Sequence, residues 1–173
     1  MSEPNWPRSA AERERLWAPW RLEYILANQE GADESCFICR ANESSADREN
    51  LVVWRTAETV TLLNRYPYNN GHLLVAPRRH VANLSDLNDA ELLGLMGGIR
   101  DLVEKLREVV EAQGYNIGLN LGRVAGAGLP GHLHWHIVPR WSGDTSFMPV
   151  VAAVNVIPES LDELYTLLKA RLP

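Results

Sequence analysis

Gly131-His132-Leu133-His134-Trp135-His136-Ile137-Val138-Pro139 is a strand written in two alternating residue classes. Successive side chains of an extended chain point to opposite faces, so His132, His134 and His136 share one face and Leu133, Trp135 and Ile137 the other. The apolar set is core, and the histidines line a surface or a cleft. Three of the chain's five histidines fall within these five residues, which composition alone would not produce. Histidines so arranged suit two chemistries, ligation of a metal or nucleophilic attack on phosphorus.

The loop ahead of the strand favours the second. Gly122, Gly126, Gly128 and Gly131 lie between Asn120 and the histidines, a backbone free to turn N–H groups toward an anion with no Cβ in the way. A metal site does not need this and a phosphate does, although glycines also serve in a plain flexible turn. A neutral imidazole is a competent phosphorus nucleophile near neutral pH, since histidine titrates near 6.5. Attack at an α-phosphate gives a nucleotidyl-imidazole that water, phosphate or another acceptor can open. Loop N–H groups and His136 would stabilise charge on the non-bridging oxygens.

Outward from this segment the pattern mixes helices and strands. LVVWR from Leu51 and ETVTLLN from Glu58 predict a hairpin, and YPYNNG at 66–71 is turn chemistry leading into HLLVAP, so a three-strand meander is expected. Leu92, Leu95, Met96, Ile99, Leu102, Val103, Leu106 and Val109 recur at the spacing of one buried helix face. Asn88 with Glu91 predicts a capping box at its start and Gly114 its terminator. YNIGLNLG follows, then the glycine loop, the histidine strand and a helix from about Pro158 to Leu168 with Leu161, Leu164, Tyr165 and Leu168 on one face. The expected fold class is α+β on a mainly antiparallel sheet. Residues 1–15 read as a mobile or loosely docked leader, and LWAPWRLEYILANQ at 16–29 as an aromatic segment with a short helical pattern in Trp20, Tyr24 and Leu26.

Composition sets the bounds. The 173 residues, 46% hydrophobic and 23% charged, are one domain's worth of soluble sequence. With 22 acidic and 17 basic residues the net charge is −5, so no global attraction to nucleic acid or to an anionic membrane is expected and any phosphate must be bound locally. No apolar run approaches a membrane span and no secretory pattern opens the chain, so a reducing cytoplasm is the expected location.

The residues H-L-H-W-H-I-V resemble the His-φ-His-φ-His-φ-φ signature of the histidine-triad (HIT) family. The likeness extends through TLLNRYPYNNGHLLVAP at 61–77 and from GLNLG to PRW, covering roughly residues 50–141; the longer match NLGRVAGAGLPGHLHWHIVPRWSGD resembles the branch that contains bacterial diadenosine tetraphosphate phosphorylases. The resemblance implies a five-stranded antiparallel sheet with packed helices, usually a homodimer. It divides the chain into an N-terminal extension at 1–30, a HIT domain at 31–145 and a C-terminal extension with a helix at 146–173. It further implies cleavage of a dinucleoside polyphosphate, or another adenine nucleotide, at the α-phosphate by hydrolysis or phosphorolysis, the latter with inorganic phosphate as second substrate. By the same likeness His134 is the nucleophile and His136 a phosphate contact, with His132 completing the catalytic trio. Asn64 matches the ribose position, and Asn120 with Gly126 and Gly128 the ribose and phosphate loop, while His72 is expected near the first triad histidine. Trp141 either closes the pocket or packs. Many members carry Gln, Ser or Thr just before the triad, where this chain has Ala127, Gly128 and Leu129.

Cys36 and Cys39 have the C-x-x-C spacing of a zinc knuckle at 36–39, but two ligands do not complete a tetrahedron. Some relatives of the family add a His after the Pro-basic segment and the first triad histidine, which are His80 and His132 here. The resemblance therefore implies a structural zinc; two free thiols or a redox pair are the alternatives, and no organic cofactor is expected. Two other functional readings compete: a metal-dependent hydrolase with the triad as ligands, and a nucleotide-binding sensor with little turnover.

Overall fold

The computed structural model describes residues 36–144, 157 and 159–172. The expectations for residues 1–15 and 16–29 lie outside these. The elements run α1 (Phe37–Glu43), β1 (Val52–Arg55), β2 (Thr59–Leu63), β3 (Leu73–Pro77), α2 (Asp89–Val110), β4 (Gly114–Leu119), β5 (Trp135–Arg140) and α3 (Leu161–Lys169), with single 3₁₀ turns at Leu84–Asp86 and Arg123–Ala125. The strands form one sheet in the order β1-β2-β3-β5-β4, every neighbouring pair antiparallel. The meander and the α+β class are as the sequence predicts.

Strands β1, β2 and β3 send their two faces to two different cores. Val53, Leu63, Leu73, Val75 and Ile137 pack with Leu95, Ile99, Leu102 and Leu106 of α2 and with Leu164 and Leu168 of α3. Val52, Val60, Leu62 and Ala76 instead pack with Ile38 and Ala41 of α1. Burial on both faces explains why β2 and β3 are apolar throughout. Burying the four α2 side chains contributes about 1.5–3 kcal/mol each, so α2 is held by packing more than by its own propensity.

The start of α2 follows the sequence reading: Glu91 N–H donates to Asn88 Oδ1 and Asn88 N–H to Glu91 Oε2, both at 2.9 Å. Its end does not. Glu111 takes the left-handed cap conformation at φ 50°, and Gly114 opens β4. Gln113 N–H already donates to Arg140 O at 2.9 Å, so the chain is drawn into the sheet before the glycine is reached. Similarly α3 starts at Leu161, after a capping box of Ser160 and Glu163, and not near Pro158. Helix α1, which the sequence analysis does not predict, begins just after Cys36, whose Sγ accepts from Cys39 N–H at 3.5 Å.

The turn between β2 and β3 is tied to the body. Gly71 has φ +73°, and a Cβ there would stand 3.1 Å from Pro139 Cγ and 3.3 Å from Leu106 Cδ2. Only glycine fits both that conformation and that approach. Asn69 Nδ2–H donates to Pro139 O at 3.2 Å, holding the same turn to the end of β5.

Candidate functional site

Strand registers gather the candidate residues on one face. Leu74 and Gly118 flank His136, and the β4–β5 register continued one step sets Asn120 across from His134. The β2–β3 register, continued likewise from Leu63 and Leu73, pairs Asn64 with His72, and Asn64 N–H donates to His72 O at 2.9 Å. Leu133, Trp135 and Ile137 belong to the core on the opposite face, as the alternation requires. One boundary differs: β5 begins at Trp135, so His132 and His134 stand in extended chain ahead of it. There Leu133 N–H donates to Val81 O at 2.7 Å in place of regular pairing.

The histidine rings form two sets, joined by the main chain of His132. Centroids are 5.0 Å apart for His80 and His132, 5.1 Å for His134 and His136, and 5.2 Å for His72 and His136. His134 is 6% exposed, and its Nδ1 lies 2.8 Å from His132 O. A carbonyl only accepts, so Nδ1 carries the proton and Nε2 keeps a lone pair. Burial pushes His134 below its ordinary value, against the pull of that hydrogen bond. The ring is therefore neutral near pH 7.

His72 was expected near the first triad histidine; it meets the third, with Nε2 2.9 Å from His136 Nδ1. Burial first, then the neighbouring His136 and His134, pushes His72 down to about 3. Tyr68 covers both rings, at 4.9 Å from His72 and 6.0 Å from His136. The sequence places this fourth histidine near the triad but not beside His136, a partner 64 residues away.

Other candidates are placed less directly. Gly126 has φ +94°, yet its N–H donates to Arg123 O at 2.9 Å and Ala127 N–H to Gly122 O at 3.2 Å. The loop closes on itself there, and Gly126 does not aim its N–H at an anion. Gly128 is exposed beyond this turn. Trp141 donates from Nε1 to Val110 O at 3.1 Å and to Glu111 O at 3.0 Å, sealing the carbonyl end of α2. It sits five residues beyond His136, with its indole N–H held at the end of α2.

In the other set, His80 and His132 join Cys36 and Cys39 to bring four ligand atoms within 4.8 Å of one another. Cys36 Sγ is 3.2 Å from His132 Nδ1, and Cys39 Sγ is 3.2 Å from His80 Nδ1 and 3.5 Å from His132 Nδ1. His132 Nε2–H donates to Pro77 O at 2.9 Å, turning the Nδ1 lone pair toward the sulfurs. Two thiols and two imidazoles, one oriented by a backbone carbonyl, suit a tetrahedral zinc. Burial and then Cys36 push the Cys39 thiol up to about 11.

A HIT domain family model matches residues 32–143. An AP-4-A phosphorylase of Mycobacterium tuberculosis is 39% identical over 160 residues, 90% of this chain and 82% of that protein. An asymmetrical bis(5'-nucleosyl)-tetraphosphatase of Schizosaccharomyces pombe is 38% identical over 95 residues, 55% of this chain and 52% of its own length. Among solved structures, a zinc-bound histidine triad family protein from Mycobacterium smegmatis superposes with a TM-score of 0.63 at 25% identity, covering 80% of this chain and 93% of that one.

Proposed function

Because the chain belongs to the HIT domain family, we propose that it cleaves dinucleoside polyphosphates such as diadenosine tetraphosphate at the α-phosphate through a nucleotidyl-His134 intermediate. The observation that carries this reading is the His134 Nδ1–H bond to His132 O at 2.8 Å, which leaves Nε2 as the nucleophilic atom. In the first step Nε2 bonds to the α-phosphorus and the bond to the bridging oxygen breaks, releasing the remainder of the polyphosphate with its nucleoside. In the second, phosphate or water attacks the same phosphorus and His134 recovers its lone pair. His136 contacts the phosphate, with Asn64 and Asn120 toward the ribose and any main-chain donors coming from Gly128 onward. His132 acts through its carbonyl. The names of the two relatives support the substrate class.

The Cys36, Cys39, His80 and His132 set is read as a structural zinc site. Bound there, the metal would supply a cross-link between the start of α1 and the segment that carries the nucleophile. We also read the chain as a homodimer: β4 closes the sheet with an exposed, uncharged edge over Asn116, Ile117 and Gly118, the kind of strand a second copy can extend.

Product analysis tests the reaction. Diadenosine tetraphosphate should give ADP and ATP when phosphate is present if the acceptor is phosphate, or AMP and ATP if it is water. Symmetric cleavage to two ADP without phosphate would contradict attack at an α-phosphate.

A further inference from the structure

Cleavage at an α-phosphate divides a dinucleoside polyphosphate into the nucleotide that stays on the protein and a charged leaving group, and the triad with Asn64 accounts only for the first. Strand registers give the direction of the second. The β3–β5 register continued one step sets His72, and with it Asn64, level with Val138. His136 comes next along β5, then His134 level with Asn120, and then the loop that follows β4. That loop also lies across β5 from β2 in the order β1-β2-β3-β5-β4. A nucleotide with its ribose at Asn64 and its phosphorus at His134 therefore points the rest of its polyphosphate at residues 121–131.

This loop meets an anion by an unusual route. Between Gly122 and Ala127 it closes on itself: Gly126 N–H donates to Arg123 O at 2.9 Å and Ala127 N–H to Gly122 O at 3.2 Å, so those amides are occupied. The run LGRVAGAGLPG at 121–131 contains no hydroxyl, amide or carboxylate side chain, and Arg123 is the one side chain in it able to donate a hydrogen bond. Arg123 is also the one Arg, Lys, Asp or Glu between Asn116 and Arg140. It opens the 3₁₀ turn between two positive-φ glycines, Gly122 at +77° and Gly126 at +94°, which fix its backbone while the residue itself stays exposed, as does its neighbour Val124. Arg48, Arg55, Arg79 and Arg140 each hold a carboxylate, whereas Arg123 makes no hydrogen bond or ion pair through its side chain among the described residues.

We propose that Arg123 is a specificity-determining residue that receives the leaving polyphosphate: its guanidinium pairs with the phosphates beyond the scissile bond, so the site favours substrates whose leaving group is itself phosphorylated. The proposal rests on the reading of the chain as one that cleaves dinucleoside polyphosphates. A guanidinium suits the task because its planar fork of N–H donors meets two phosphate oxygens at once and keeps its charge at any working pH.

Calorimetric titration of the full-length protein with AMP and with a methylene-bridged, uncleavable analogue of diadenosine tetraphosphate separates the two halves of the site. Arg123→Gln should weaken binding of the analogue on the order of 10-fold, the loss of one charged hydrogen-bonding partner, and leave AMP binding unchanged. Arg123→Lys, which keeps the charge without the fork, should recover part of that loss. In turnover, the ratio of kcat/KM for diadenosine tetraphosphate to that for adenosine 5'-phosphoramidate, whose leaving group is ammonia, should fall by a similar factor in Arg123→Gln. Equal weakening of AMP and analogue, or no weakening of either, would overturn the proposal. So would a change of mass in sedimentation, which would put Arg123 in a contact between copies of the chain. A wild type that binds both ligands and cleaves neither substrate would refute the nucleotidyl-histidine reading, while the titrations still decide the role of Arg123.

Discussion

At the residue scale the site is a set of buried imidazoles whose roles follow from what each Nδ1 faces. His134 faces a carbonyl, His136 faces another histidine, and His132 faces two sulfurs. Burial also couples the site to stability. His72 holds a value of about 3 when folded, so between 6.5 and 3 the unfolded chain takes up a proton that the folded chain refuses. Stability is therefore full above about pH 6.5 and is lost as pH falls toward 3. At pH 5 the His72 contribution to that loss is about 2 kcal/mol. Urea unfolding at pH 7 and pH 5 should show His72→Gln losing less than the wild type by about this amount. Equal losses would mean that His72 does not refuse the proton.

At the element scale α1 and the chain ahead of β5 are joined through side chains more than 90 residues apart. Because His132 gives its imidazole to the cysteine cluster and its carbonyl to His134, the cluster bears directly on the orientation of His134, the nucleophile we propose. Protein purified without chelator should carry about one zinc per chain. Stripping it should lower the Tm by on the order of 10 °C and reduce kcat as well. A stoichiometric assay that finds no metal would remove this reading. Local periodicity made β5, α2 and the α2 capping box legible, since Leu133, Trp135 and Ile137 alternate and Leu95, Ile99, Leu102 and Leu106 recur at helical spacing. It could not give the left-handed Glu111 or the contact of His72 with His136. Both depend on how β3 and β4 register against β5, a non-local pairing no short window contains. Helix α1 was hidden for a related reason: at 7 residues it is too short to stand alone and is held by packing on the sheet.

At the scale of the whole molecule, one sheet packs against α2 and α3 on one face and carries His134 and His136 on the other, and β4 leaves an exposed edge. Among the described residues no helix is long and apolar enough to cross a membrane. If β4 pairs with a second copy, sedimentation at micromolar concentration should give twice the chain mass, and Ile117→Pro, which removes a strand N–H and bends the edge, should shift the protein toward monomer. A monomer at all concentrations would remove the dimer. The most direct test of the account is to quench the protein during turnover of diadenosine tetraphosphate labelled at the α-phosphate and map the label. One adenylate on His134, absent from a folded His134→Asn variant, is the expected result; an adenylate retained by that variant, or carried on His136, would contradict the assignment of the nucleophile.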